Sequence, residues 1–257
     1  MRSYRFSLNL DFDELDLSSN TLVVKNPELW HQITKVLRLN PDSPEDITII
    51  TGENTQVHRV KVREITKSQV SFEIVETFES QRELQQQVTY FVPIIKPEAF
   101  EWMIRKLTEL GVQEIVPVAF ERSQSQYVTK LSSDKSYERL RKIIQEATEQ
   151  CEGSVFAQLK PVIDFVDIDK HTQEGLRIFA SERRASLEDV QASMKTLSQK
   201  QISESLNLSL IVGPEGGVSA SEINILEQNS WLSMSLGSRL LKAETAAIAL
   251  FSRLESY

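Results

Sequence analysis

The chain has 257 residues, 40% of them hydrophobic, with 29 Lys and Arg against 37 Asp and Glu and a formal net charge of −8. It can bury a substantial core as one large domain or two, and no apolar run approaches the ~20 residues of a membrane span. A single cysteine excludes an internal disulfide, and with the charged start Met1-Arg-Ser-Tyr-Arg-Phe6, which lacks a hydrophobic signal core, it points to the cytoplasm.

Residues 1–80 read mostly as strands. Val57-His-Arg-Val-Lys-Val62 is strand-like, and Val70, Phe72 and Ile74 alternate with Ser71 and Glu73. One helix interrupts them: Asn26 is a good N-cap, Pro27 suits the first turn, and Leu29, Ile33, Val36 and Leu37 form a stripe. A small β-rich domain over 1–80 is expected. The charged, Gln-rich stretch Glu79–Gln87 reads as a linker into a second domain, 81–257.

From Val88 strands and helices alternate, which predicts α/β architecture with a parallel sheet. Val88–Ile95 is an apolar run of strand length. Glu98–Leu110 is an amphipathic helix with Trp102, Ile104, Leu107 and Leu110 apolar, Trp102 read as core, and Gly111 at its end. The next pairs are Ile115–Phe120 with Tyr137–Cys151, Leu176–Ala180 with Leu187–Leu197, and Leu208–Val212 with Ala220–Gln228. Gln199–Asn207 is polar and read as a loop. A last strand, Trp231–Leu236, leads to a closing helix, Ala243–Leu254.

Two strand-to-helix turns near the C-terminus carry the functional signal. The first is Gly213-Pro-Glu-Gly-Gly217, followed by Val218, Ser219 and Glu222; the second runs from Ser235 through Leu236, Gly237, Arg239, Leu240, Leu241, Lys242, Glu244, Thr245 and Ala246. Such turns bring backbone amides to the carboxyl edge of a sheet, where ligands of open α/β sheets bind. Neither is a phosphate grip. The first lacks the Lys and Ser/Thr of a P-loop, Pro214 removes an amide, and Glu215 repels phosphate. A cationic or polar cofactor suits it better.

These motifs resemble those of the RsmE family, which methylates a small-subunit ribosomal RNA uridine at N3 and belongs to the SPOUT superfamily. The resemblance extends through Lys106-Leu-Thr-Glu-Leu-Gly-Val112, Ile115-Val-Pro117, Glu121-Arg-Ser123, Lys96, Glu149-Gln-Cys151 and Val36-Leu-Arg38, with His31 on the same short helix. Three positions depart from the family pattern: Lys242 replaces an arginine, Glu152-Gly-Ser154 lacks a basic residue after Cys151, and Thr51-Gly52 replaces a D-G turn. The resemblance implies a SPOUT-type parallel sheet with a C-terminal trefoil knot, plus a small N-terminal PUA-like β-barrel. General folding rules alone do not predict a knot.

It also implies S-adenosylmethionine as cofactor, held by Gly213, Pro214, Glu215, Gly216, Gly217, Ser235, Leu236, Gly237, Leu240, Leu241 and Ala246. RNA contacts are expected at Arg5, His31, Arg38, Lys96, Arg122 and Lys242. The substrate implied is 16S RNA in an assembled or late 30S particle, and the assembly a homodimer. The apolar run Ala246–Phe251 suits either core or interface.

The net charge argues mildly against a nucleic-acid partner, but an enzyme visiting one RNA site needs only a local basic patch. Arg59, Lys61 and Arg63 alternate along a strand pattern and so share one face. Uracil N3 carries a proton at neutral pH, so a site must stabilise the anion or take the proton. Arg239 suits the first task. Glu244 suits the second, or holds Arg239. Cys151 reads as packing, and His31, His58 and His171 lack metal-ligand spacing. Two other readings stay open: a non-catalytic RNA-binding protein using the β-rich domain, and a small-molecule transferase or hydrolase with Glu215 or Glu244 as base.

Overall fold

The computed structural model describes residues 3–181 and 206–254. They form two compact units, Met1–Glu83 with Thr148–Phe156, and Leu84–Ala147 with Ala157–Tyr257.

The first unit is built on six strands: β1 (Ser3–Ser7), β2 (Glu14–Asp16), β3 (Thr21–Val24), β4 (Asp46–Ile50), β5 (Gln56–Ile65) and β6 (Val70–Glu79). Their order is β1-β4-β5-β6-β3-β2. The β1–β4 pair is parallel and the others are antiparallel. Along β5, Val60 and Val62 are buried while Arg59, Lys61 and Arg63 face solvent, the alternation a half-buried strand requires; Val57 and His58 are buried as well, and a register shift between Arg59 and Val60 changes the phase. Arg59 is already paired, with Asp46 at 3.2 Å and with Glu76.

Helix α1 (Pro27–His31) begins at Asn26, whose side chain accepts from the Glu28 and Leu29 amides, with Pro27 in the first turn. It runs on as a π-helical turn over Gln32–Val36, and this alters the expected stripe. Bonding from residue i to i+5 turns each residue through a smaller angle than in an α-helix. Leu29 and Ile33 are buried and Leu37 packs on the core, but Val36 swings out to 63% exposure.

Residues Thr148–Phe156 are fastened into this unit. The Ser7 amide donates to the Glu149 carboxylate at 2.9 Å, and the Ser154 amide and hydroxyl donate to Glu83 at 2.6 and 2.7 Å. The Phe156 amide donates to the Gly52 carbonyl at 2.8 Å. Gly52 has φ +77°, and a Cβ there would lie 2.1 Å from the Phe156 ring. Only glycine fits, which explains Thr51-Gly52 in physical terms.

The second unit holds a seven-stranded sheet of β7 (Gln87–Pro93), β8 (Glu114–Ala119), β9 (Gln158–Leu159), β10 (Ile163–Asp164), β11 (Leu176–Ser181), β12 (Asn207–Ile211) and β13 (Leu232–Ser235). The order is β10-β8-β7-β12-β11-β13, with β9 beside β8. Every pairing is parallel. The central strands β7 and β12 are buried almost throughout, as helix-covered parallel strands are. The helices are α2 (Pro97–Glu109), α3 (Ser125–Leu131), α4 (Asp134–Gln150), a 3₁₀ segment (Phe165–His171), α5 (Ala220–Gln228) and α6 (Ala243–Leu254).

Trp102 corrects the sequence expectation. The buried face of α2 is Phe100, Met103, Ile104, Leu107 and Thr108, spaced i, i+3, i+4, i+7 and i+8. Trp102 lies off that face and is 43% exposed. Helix α3 had no counterpart in the sequence reading. The expected helix Leu187–Leu197 lies outside the described residues, as does most of the expected loop Gln199–Asn207. Among the described residues no helix is long and apolar enough to cross a membrane.

Candidate cofactor site

In an all-parallel sheet every strand ends at one edge, so the segments following β7, β8, β12 and β13 share that edge. They carry Lys96, Arg122, the Gly213–Gly217 turn and the Leu236–Lys242 stretch respectively.

In the first turn the Gly217 amide donates to the Pro214 carbonyl at 2.9 Å. This leaves Glu215 and Gly216 exposed at the tip and Pro214 and Gly217 buried; Gly213 is half-buried. Gly217 has φ +75°, a conformation a β-branched residue adopts only with strain. Behind the turn, Ser219 caps α5. The Glu222 amide donates to the Ser219 hydroxyl at 3.3 Å, and the Ser219 amide donates to the Glu222 carboxylate at 2.8 Å.

The other oxygen of Glu222 accepts the Glu121 amide at 2.8 Å. Ser221 donates to the Glu121 carboxylate at 3.1 Å, and hydrogen bonds from Ser219 and Ser221 hold that carboxyl below its usual range. Arg122 donates to the Gly216 carbonyl at 2.8 Å. The loop after β8 is therefore bonded to the glycine turn through Arg122 and to the first turn of α5 behind it through Glu121. Glu121 stands in the Glu121-Arg-Ser123 motif without a role assigned to it, and Ser221 is given none either. The Ser219-x-x-Glu222 spacing before an apolar run is a readable capping signature, but the bond from Glu222 to a residue about a hundred positions away is not.

The second turn starts at Ser235, which is buried and accepts the Gly237 amide at 3.4 Å. Gly237 has φ +126°, and a Cβ placed there would meet no atom within 4 Å. Arg239 is exposed and Leu240 is 84% exposed, while Leu241 is half-buried. The Lys242 ammonium lies 3.9 Å from the Glu244 carboxylate, whose side chain is only 17% exposed. Among the described residues no ion pair joins Glu244 to Arg239. Ala246 donates its amide to the Lys242 carbonyl at 2.8 Å, opening α6.

Two residues outside the motifs hold this turn and the helix that follows it. Arg253, on α6, donates to the Ser235 carbonyl at 2.8 Å and to the Leu236 carbonyl at 3.0 Å. Tyr90, on β7, donates to the Ala247 carbonyl at 2.9 Å, and burial pushes its phenol well above the usual range. Nothing in the local sequence signals either contact.

The residues expected to touch RNA divide between the units. Lys96, at the N-terminus of α2, Arg122 and Lys242 are exposed in the second unit, and His31 and Arg38 in the first, Arg38 at φ +56°. Arg5 departs from the expectation. It is half-buried and donates to the Gly153 carbonyl at 2.7 Å, to the Glu152 carbonyl and to Thr48 at 3.2 Å. Burial lowers its pKa. Its guanidinium is occupied in holding residues 148–156, because three acceptors converge on it. Among the described residues no group of His, Cys, Asp or Glu could hold a metal ion.

Residues 82–255 match the family described as RNA methyltransferase domain. The ribosomal RNA small subunit methyltransferase E of Aquifex aeolicus is 27% identical over 238 residues, covering 93% of this chain and 95% of the relative. Its Bacillus subtilis counterpart is 28% identical over 222 residues, 85% and 83% of the two chains. A Legionella pneumophila protein solved with the bound cofactor SAM shares 26% identity at a TM-score of 0.78, covering 99% of this chain and 97% of that one. The ribosomal RNA small subunit methyltransferase E of Neisseria gonorrhoeae, solved bound to S-adenosyl methionine, has the same fold at a TM-score of 0.76, with 24% identity and 98% and 96% coverage.

Proposed function

The chain belongs to the RNA methyltransferase domain family, among the RsmE methyltransferases, and from that premise we propose that it methylates N3 of a uridine in small-subunit ribosomal RNA, using S-adenosylmethionine. The observation that carries the reading is the pair of glycine turns at the carboxyl edge of the parallel sheet.

The residues present fit that cofactor. Gly217 and Gly237 keep side chains away from the backbone on two turns. The space before Gly237 is clear, and Leu240 offers an exposed apolar surface. Residues Gly213–Gly217, Ser235–Gly237, Leu240, Leu241 and Ala246 would hold the adenosine and methionine parts through main-chain groups and apolar contact. The cofactor supplies an electrophilic methyl group on a sulfonium. The protein's task is therefore to prepare the nucleophile.

Arg239 does this electrostatically. A guanidinium near the uracil ring favours the N3 anion and lowers the cost of losing its proton. Arg239 is exposed, and among the described residues no ion pair occupies it, which leaves it available to the RNA. Glu244 accepts the proton, directly or through water; the Lys242 ammonium lies 3.9 Å from it. Lys96, Arg122 and Lys242 contact the RNA from the catalytic domain, 81–257. His31 and Arg38 contact it from a PUA-like β-barrel domain, 1–80.

The reading extends to a trefoil knot in the C-terminal domain, a cytoplasmic homodimer, and an assembled or late 30S particle as substrate. It rests there on the resemblance of the two motifs and on the α/β parallel sheet. Calorimetry with S-adenosylmethionine separates this reading from a non-catalytic RNA-binding protein. Labelled methyl transfer to ribosomal RNA, compared with small-molecule acceptors, tests the reaction itself.

A further inference from the structure

Glu222 is a buried acid, 4% exposed, in the first turn of α5, and among the described residues no cation pairs with it. Its carboxylate is satisfied instead by two backbone amides from separate stretches of chain. Oε2 accepts from Ser219 at 2.8 Å, and Oε1 accepts from Glu121 at 2.8 Å. The first bond is the return half of a capping box. The second reaches the loop after β8, 101 positions away.

A capping box takes Glu or Gln at this place equally well; the second bond does not. A carboxylate has two acceptor oxygens, whereas a carboxamide has one acceptor and an NH2 group that only donates. A glutamine that kept the Ser219 bond would turn its NH2 toward the Glu121 N–H, donor against donor. The bonds therefore call for a carboxylate for a reason that capping alone does not supply.

What the second bond holds lies against the cofactor turn. Arg122, next to Glu121, donates to the Gly216 carbonyl at 2.8 Å. The two segments approach so closely that a Cβ at Gly216 would stand 3.1 Å from the Arg122 Cβ. Ser221 braces the same loop from α5, donating to the Glu121 carboxylate at 3.1 Å. We propose that Glu222 is a positioning residue for the cofactor: by accepting the Glu121 amide it sets Arg122 against the Gly213–Gly217 turn, and so holds the turn in the shape that receives S-adenosylmethionine. Its effect runs through Arg122. This rests on S-adenosylmethionine being the cofactor, as proposed above.

The test is calorimetry of S-adenosylmethionine binding to the full-length protein, to Glu222→Gln, to Arg122→Ala and to the double variant. Glu222→Gln keeps the cap and is expected to bind the cofactor roughly fivefold more weakly, the same loss as Arg122→Ala. The double variant should also lose about fivefold, not the roughly 25-fold of two independent defects, because one residue acts through the other. Native affinity in folded Glu222→Gln, or losses that multiply in the double variant, overturn the proposal. Hydrogen exchange on the unaltered protein serves even where Glu222→Gln does not fold. The Glu121 amide should be protected, and S-adenosylmethionine should slow its exchange further; exchange there that ignores the bound cofactor sinks the proposal too. An unaltered protein that binds no S-adenosylmethionine defeats the proposed function and this inference together. Normal binding by the unaltered protein and by Glu222→Gln alike defeats this inference alone.

Discussion

The Arg122 guanidinium donates to the Gly216 carbonyl at 2.8 Å, joining the loop after β8 to the glycine turn after β12. Arg122→Ala removes that donor and loosens the turn. A hydrogen bond of this kind is worth about 1 kcal/mol, so cofactor affinity should fall roughly fivefold. Calorimetry measures it. An unchanged dissociation constant would show that the β8 loop does not support the cofactor turn.

Gly217→Val forces a branched residue into φ +75°. The strain is on the order of 1–3 kcal/mol and falls on the turn itself. Cofactor binding should weaken strongly while a cooperative thermal transition persists. A folded variant with native affinity would remove this turn from the pocket.

Arg253 grips the Ser235 and Leu236 carbonyls with two separate nitrogens. Arg253→Leu keeps the helix-forming character of the position but releases the second turn, so the KM for S-adenosylmethionine should rise. Arg253→Lys should restore only part, because a lysine cannot reproduce the planar fork. Equal kinetics for all three proteins would reduce the contact to a surface feature.

The legible parts of this molecule are those where local chemistry and tertiary structure agree. The Asn26 cap, the strand alternation through Val70, Phe72 and Ile74, and helices Ala220–Gln228 and Ala243–Leu254 were readable because apolar periodicity and capping residues lie within a few positions of each other. Val36 was misplaced because a single π turn rotates the face and leaves no mark in composition. Trp102 was misplaced because it was counted on the apolar face of α2, whose buried side is set instead by Phe100, Met103, Ile104, Leu107 and Thr108. The two glycine turns were visible as candidates. The bonds of Glu121, Tyr90 and Arg253 were not, since they reach α5, α6 and the second turn respectively only after the parallel sheet has assembled.

Arg5 offers a further test of what lies beyond local sequence. Its guanidinium satisfies the carbonyls of Glu152 and Gly153. Arg5→Ala should destabilise the protein by about 1–3 kcal/mol, read as a lower urea midpoint. RNA affinity measured well below that midpoint should stay unchanged. A loss of RNA affinity in fully folded protein would return Arg5 to the RNA-binding surface.

Arg239→Ala should cut the methylation rate far more than cofactor affinity. Losing a donor to developing charge costs about 3 kcal/mol, or roughly a hundredfold in rate. Raising the pH should recover part of the loss, because a larger fraction of N3 is then deprotonated in solution. Single-turnover rates across a pH series measure this. A defect confined to cofactor affinity, with no recovery at high pH, would place Arg239 in the pocket wall.

The central claim is methyl transfer to uridine N3 of small-subunit ribosomal RNA. It is tested most directly by incubating the purified protein and isotope-labelled S-adenosylmethionine with small ribosomal subunits from cells lacking this gene, then digesting the RNA for mass spectrometry of its nucleosides. The account predicts that the label appears in 3-methyluridine at a single position and accumulates far more slowly with the Arg239→Ala protein. RNA that stays unlabelled, or label on another base or atom, would contradict it.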